Sequence, residues 1–408
     1  MITLRRFDSP LTNFVIAAVA ATGFVMARWH DAARHRLGDF VVAGAKYVHR
    51  TPANRAIPIR SGSGYDGQFY YRLALSPFDL SRNGFGVHLD SFSRVERMGY
   101  PFLAWVVSLG QHANLPLALV VVNVIACSVV ALAGGLVARS AGRHALWGLA
   151  FAGYWGYLWT LGRDLTELTA AAFLMLGFAA LLRHAPGWAA LAFLGAVVSK
   201  ETTVLLVGVL ALSTLYRRRQ GRPTLLATPR TSADGTARPE SWTRLRPRYA
   251  DMAYLVPLAG FVAWEAVLFA ATGKLPIYKS GGENLGLPFL GIYRGFTHYI
   301  RLVPSTASAI WFGELSVLGL LVLGAFLALR QAPFEFRVVW VFSVLLALST
   351  TTGIWLGDVG FRSLDDTYLM SWVILLFRPA RQSFGLKPWV VLCVGTWIGV
   401  SVELVRFI

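Results

Sequence analysis

Apolar runs recur along the whole chain, at residues 11–27, 114–138, 145–162, 167–182, 187–199, 202–216, 252–272, 306–329, 337–356, 367–377 and 388–405. A straight helical crossing of a bilayer needs about 20 residues, so this pattern predicts an all-α polytopic membrane protein with about eleven transmembrane helices. The shorter runs must extend into their polar flanks. A further apolar piece, 96–111 (ERMGYPFLAWVVSLGQ), predicts a helix that either lies at the membrane interface or leads into the second span. Three interruptions are long: 28–99, 217–250 and 273–305. The chain reads as one integral membrane domain, 1–408, whose long first loop contains short interfacial helices.

Composition agrees with the pattern. Of the 408 residues, 55% are hydrophobic and 14% charged, where soluble domains carry roughly 25% charged residues. The net charge of +17 is spread between apolar runs and forms no single basic stripe, which argues against a nucleic-acid partner. Arg outnumbers Lys by 33 to 5, a bias that reads as genome composition. Cys127 and Cys393 both lie inside apolar runs, so neither a disulfide framework nor a cysteine metal site is expected. The basic start followed by the 11–27 run is read as an uncleaved first helix rather than a signal peptide, because a bulky, charged stretch follows it.

Lys and Arg in short loops set orientation. With the N-terminus inside, the cytoplasmic segments carry Arg5, Arg6, Arg139, Arg143, Arg183, the nine arginines of 217–250, Arg330, Arg337, Arg378, Arg381 and Lys387. Outside the over-long 28–99 loop, these outnumber the positive residues of the opposite side by 19 to 8, so the N-terminus is expected to be cytoplasmic. The segment 217–250, rich in Arg, Pro, Ser and Thr, then reads as a flexible linker touching anionic headgroups. Under the same orientation 15 of the 21 Asp and Glu fall on the outer side or at outer helix ends. Carboxylates near lipid are retained for pairing or for function, which directs the search for chemistry outward.

The stretch G-Y-D-G-Q-F-Y-Y-R-L-A, residues 64–74, stands out on that side. Asp66 sits between Gly64 and Gly67, whose missing side chains would let backbone approach a ligand. It suits a general base or a ligand to a divalent metal, and Phe69, Tyr70 and Tyr71 offer flat faces for a sugar ring. An ordinary juxtamembrane loop with an aromatic belt would carry the same residues.

Tyr65-Asp66-Gly67-Gln68-Phe69-Tyr70-Tyr71-Arg72-Leu73-Ala74 resembles the aromatic-Asp-x-x-x-Tyr-x-x-Ile-Ala signature that follows the first helix in the GPI-anchor mannosyltransferase-like family. Arg97-Met98-Gly99-Tyr100-Pro101-Phe102-Leu103-Ala104-Trp105 is similar to the same family's Pro-containing stretch before its second span. A weaker likeness joins Thr166-Glu167-Leu168 with Ser199-Lys200-Glu201-Thr202-Thr203. The resemblance covers roughly residues 10–205 and implies a GT-C fold. It also implies a polyprenyl-phosphate sugar donor, an acceptor glycan, lipid or protein, and chemistry on the non-cytoplasmic face of a bacterial inner membrane. Asp66 would then be the general base of an inverting displacement, with Gln68, Tyr70 and Arg72 beside it.

The departing phosphate needs cations, and Arg94, Arg97, Lys200 and Arg362 are the candidates. Tyr100, Asp164, Glu167 and Glu201 complete the expected substrate-binding set. Each has a plainer reading. Lys200 suits a snorkelling or intra-bundle ion pair. Arg362 suits a salt bridge to Asp358, Asp365 or Asp366. Asp164 and Glu167 suit helix N-terminal acids partnered by Arg163. His88, His112 and His298 show no ligand spacing, and no DxD signature is present, so no cofactor is expected and a divalent metal is not indicated. The 273–305 loop, with Lys274, Lys279, Arg294, Arg301 and three tyrosines, would cover the acceptor site or form an aromatic belt. Two other functions fit the composition: a transporter or lipid flippase, for which Glu265 is the one charge inside a span, and a non-catalytic membrane assembly subunit.

Overall fold

The computed structural model describes residues 8–31, 33–226, 249–357, 359–379, 391, 395 and 398–401. The expected last span at 388–405 and most of the 217–250 loop lie outside the described residues. The rest is mostly helical. Four helices are long and apolar enough to cross a membrane: Pro10–His30, His112–Ser140, Tyr249–Thr272 and Thr306–Gln331.

Local chemistry sets many of the boundaries. Helix α1 (Pro10–His30) begins where the Ser9 hydroxyl accepts from the Leu11 N–H and Pro10 takes the first turn, where its missing N–H costs nothing. Within the following loop, α2 (Gly67–Leu75) and α3 (Gly99–Val107) are short. α4 (Leu115–Ser140) has a proline in its first turn. The expected single span at 145–162 is broken. It forms a 3-10 turn at Ala145–Gly148, α5 (Leu149–Ala152) and α6 (Gly156–Arg163). Gly153 caps α5, and the wholly buried Tyr154 and Trp155 fill the break, with the Tyr154 ring against Tyr368. Core packing outweighs helix continuity there.

The bundle continues through α7 (Glu167–Leu182), α8 (Pro186–Val197) and α9 (Thr202–Arg219). Next in the chain come α10 (Met252–Thr272), ended by Gly273 at φ +67°, and two short helices, α11 (Pro276–Asn284) and α12 (Leu290–Ile300). α13 (Thr306–Ala328) opens with a reciprocal Ser305–Ser308 cap. α14 (Phe334–Leu348), α15 (Thr352–Gly357) and α16 (Asp365–Leu376) complete it. The expected run at 337–356 is thus interrupted after Leu348. All twelve residues of α16 are buried. It is apolar beyond its first turn but for Ser371, which accepts from the Trp340 indole, and packs among α4, α5, α7, α13 and α14, as a helix without a polar stripe must.

The long first loop is folded. Two small pairings brace it: β1 (Ala43–Gly44) runs parallel to β2 (Ile59–Arg60), and β3 (Asn83–Gly84) runs antiparallel to β4 (Val87–His88). Phe85 and Gly86 turn the second pair with φ of +54° and +79°, the positive values a type I′ turn requires. Every residue of α2 is buried, in a second apolar cluster with Val41, Val87, Leu89, Val95, Tyr100 and Leu119. α3 packs on α2 and α4 and leaves Phe102, Val106, Val107 and Leu109 exposed on its other side.

Close helix approach depends on glycine at α4. A Cβ on Gly148 would lie 2.2 Å from the Gly135 nitrogen and 2.4 Å from the Ala131 oxygen. Gly148→Ala should therefore force the 145–148 turn off α4 and cost about 1–3 kcal/mol. Gly23 on α1 has no atom within 4 Å of such a Cβ, and Gly23→Ala should leave the thermal midpoint in detergent unchanged or raised. Equal midpoints for the two variants would contradict this packing.

Candidate functional site

The Asp66 loop is held by its neighbours' backbone. Gly64 has φ +64°, and a Cβ there would lie 2.5 Å from the Gly44 nitrogen and the Val42 oxygen. A Cβ on Gly67 would lie 2.3 Å from the Arg163 carbonyl oxygen. Both glycines serve close approach to protein backbone rather than to a ligand. Gln68 locks the arrangement: its Oε1 accepts from the Gly44 N–H at 3.0 Å and its Nε2 donates to the Ser63 carbonyl at 2.8 Å.

These braces aim Asp66 into a chain of charges. Arg94 Nη2 lies 2.9 Å from Asp66 Oδ1, and Arg362 Nη2 lies 2.9 Å from Oδ2. Arg94 also grips Asp90 through two 3.0 Å bonds, and Arg362 Nη1 donates to Glu167 Oε1 at 2.8 Å. Arg97 holds Glu201 in a bidentate pair with both bonds at 2.7 Å, and donates to the Tyr70 hydroxyl at 3.2 Å. Lys200 sits between Asp365 Oδ1 at 2.5 Å and Asp366 Oδ2 at 3.0 Å. The Gly99 N–H bonds the Val198 carbonyl at 2.8 Å, which docks the first loop on the α8–α9 turn and brings Arg97 to Glu201. The groups come from α7, the α8–α9 turn, the first loop and the start of α16, and all meet at one end of the bundle.

A narrow cleft of about 50 Å³ opens beside them, with room for a few water molecules; Arg97, Glu167, Lys200, Glu201, Asp366 and Thr350 are in its wall.

The structure separates the expected site residues into two groups. Asp66, Arg97, Glu167, Lys200, Glu201 and Arg362 converge. Tyr70 stands one layer behind, on Arg97. Gln68, Arg72, Tyr100 and Asp164 are taken up elsewhere. Gln68 binds backbone at both ends, as above. Arg72 is wholly buried on Asp79 and Ser81. The Tyr100 hydroxyl donates to the Leu119 carbonyl at 3.1 Å and accepts from Asn123. Asp164 is wholly buried at a left-handed turn, φ +52°, that ends α6. Phe69, Tyr70 and Tyr71, at 2% exposure or less, are core and present no face to a sugar. Arg362 chooses Asp66 and Glu167, while Asp365 and Asp366, its expected partners, take Lys200.

No protein-family model and no curated protein matches the chain. Among the described residues no group of three or more His, Cys, Asp or Glu is placed to hold a metal ion.

Two participants escaped the sequence reading. Asp90 shares Arg94 with Asp66, an i,i+4 relation to Arg94 that spacing alone would have offered. Tyr65 lies under two guanidinium groups, Arg163 at 4.3 Å and Arg362 at 5.3 Å from its ring centre. Stacking of this kind leaves no mark in sequence.

Burial pushes the Asp66 carboxyl upward, but the charges of Arg94 and Arg362 and the Arg362 hydrogen bond outweigh it, and the carboxyl is held well below the usual carboxylate range. Burial likewise opposes the charge of Lys200, and Asp365 and Asp366 overcome it, so that the amine is held above its usual value. A depressed carboxylate contributes stability that is fully present above its ordinary value of about 3.9 and is lost as pH falls through the folded value. The stability gap between the native protein and Asp66→Asn should therefore be flat between about pH 5 and 8 and close only below about pH 4. Denaturation across that range measures it, and a gap that closes near neutrality would refute the pairing. Arg362→Met should cost about 3 kcal/mol, because it strands Glu167 and takes from Asp66 one of its two guanidinium partners, and the Arg362→Met/Glu167→Met pair should recover part of the loss.

Proposed function

We propose that this chain is an integral membrane glycosyltransferase of GT-C type, which moves a sugar from a polyprenyl-phosphate donor to a hydroxyl of a glycan, lipid or protein acceptor. In this reading it lies in a bacterial inner membrane with its N-terminus cytoplasmic and the Asp66 end of the bundle facing outward. The observation that carries the proposal is the arrangement at that end. An ionised carboxylate, Asp66, is bound by Arg94 and Arg362, while Arg97 and Lys200 stand in the wall of the cleft together with Glu167, the other partner of Arg362.

The chemistry follows from those roles. The acceptor oxygen attacks the anomeric carbon and forms the new glycosidic bond. The bond between that carbon and the phosphate oxygen breaks, its electron pair leaves on the phosphate, and the acceptor proton passes to Asp66. Arginine and lysine beside the leaving oxygen stabilise the charge that develops there. Asp66 bound to two guanidinium groups is a weak base. A donor phosphate that draws Arg94 and Arg362 onto itself removes those cations from the carboxylate and strengthens it as the sugar arrives. The cleft is too small for a sugar ring, so donor entry must part its walls, of which the segment around Thr350, between α14 and α15, is the least regular.

The test is transfer in reconstituted vesicles from a prenyl-phosphate monosaccharide to an acceptor pool. Asp66→Asn, shown to be folded and inserted, should lose at least about a hundred-fold in rate, the scale of a general base. Asp66→Asn that transfers at the native rate would overturn the assignment of the base. Movement of the lipid or sugar without covalent transfer would favour a transporter or flippase.

A further inference from the structure

We infer that Arg163 is the residue that binds the phosphate group of the ligand at this site. The inference deepens the glycosyltransferase reading by naming the ligand's landing point, and its anion chemistry can be tested apart from sugar transfer.

The other cations of the site are occupied. Arg94 bridges Asp66 and Asp90, Arg362 bridges Asp66 and Glu167, Arg97 pairs with Glu201, and Lys200 sits between Asp365 and Asp366. Arg163 is different. No carboxylate among the described residues lies within ion-pair distance of it, and its Nε has no hydrogen-bond acceptor. Of the acids beside it in sequence, Glu167 pairs with Arg362, and Asp164, wholly buried, makes no ion pair with it.

Its guanidinium lies between two rings, 4.3 Å from the centre of Tyr65 and 4.4 Å from that of Trp159. Ring faces attract a cation and fix its plane without neutralising it. Tyr65 also hydrogen-bonds this guanidinium, and a phosphate would take its remaining N–H donors in the fashion that arginine favours. The residue is only partly buried, so it is reachable. Tyr65 is shared with Arg362, 5.3 Å from the same ring, and is the residue next to Asp66. An anion on Arg163 therefore sits beside Arg362 as well, where it can compete with Asp66 for that guanidinium. The close contact of Gly67 with the Arg163 carbonyl keeps the base and the cation in register.

The test is binding to the purified full-length protein in detergent, with decaprenyl phosphate, inorganic phosphate and phosphatidylglycerol as separate probes. Decaprenyl phosphate should bind, inorganic phosphate should compete with it, and Arg163→Gln should weaken both by about ten-fold, the scale of a lost charged hydrogen-bond pair. Arg163→Lys keeps the charge but not the fork, and should lie between native and Arg163→Gln. If Arg163→Gln does not fold, the lysine variant decides, with a loss of at least about three-fold expected. Binding within two-fold of native in the folded variant would overturn the inference. So would phosphatidylglycerol binding as tightly as decaprenyl phosphate, which would make Arg163 a contact for bulk lipid. A protein that binds decaprenyl phosphate through Arg163 yet transfers no sugar would keep this inference and sink the enzymatic reading.

Discussion

The side chain on which the architecture of this end depends is Arg362, whose two Nη atoms hold Asp66 and Glu167 at 2.9 and 2.8 Å. Those carboxylates lie 296 and 195 positions away in the chain. A charge in an apolar bundle is tolerated only when it is paired and hydrogen-bonded. The first loop, the start of α7 and the segment before α16 therefore have to come together. The pairs Arg97–Glu201 and Lys200–Asp365/Asp366 apply the same constraint to the α8–α9 turn. The bundle end is held by charge, while its body is held by apolar packing around the buried α16.

Pairing of this kind is also a form of storage. Each arginine that grips two acids keeps its own charge and suppresses the basicity of its partners. In the proposed phosphate chemistry such a site would stay quiet until an anion entered and the cations changed partners. Asp66 would then gain basicity as Arg94 and Arg362 turned to the donor.

The first loop is more than a tether. With α2 enclosed on all sides and two short β-pairings beside it, it has an apolar cluster of its own that also includes α3 and the start of α4. The glycines of the 64–67 turn let backbone lie on backbone, which sets the position of Asp66 more tightly than a side-chain contact would. The aromatic residues that looked like a sugar platform are spent on this core. Phe69 within it and Tyr65 at its edge still present a ring face to a guanidinium.

The amino-acid pattern by itself determined the helical class and the boundaries of most long helices. Hydrophobic runs and helix caps act over a few residues, so these features are local and legible. It also singled out Asp66, Arg97, Glu167, Lys200, Glu201 and Arg362, because carboxylates and cations are rare in so apolar a chain. Tertiary structure alone decided their partners. Arg362 had several acids nearer in sequence and took two distant ones, while Gln68, Arg72, Tyr100 and Asp164 went to structural duties. The break between α5 and α6 and the isolation of Arg163 between two rings were settled the same way. Ion pairing and close packing depend on which surfaces meet after the chain has folded, and spacing along one helix carries no record of that.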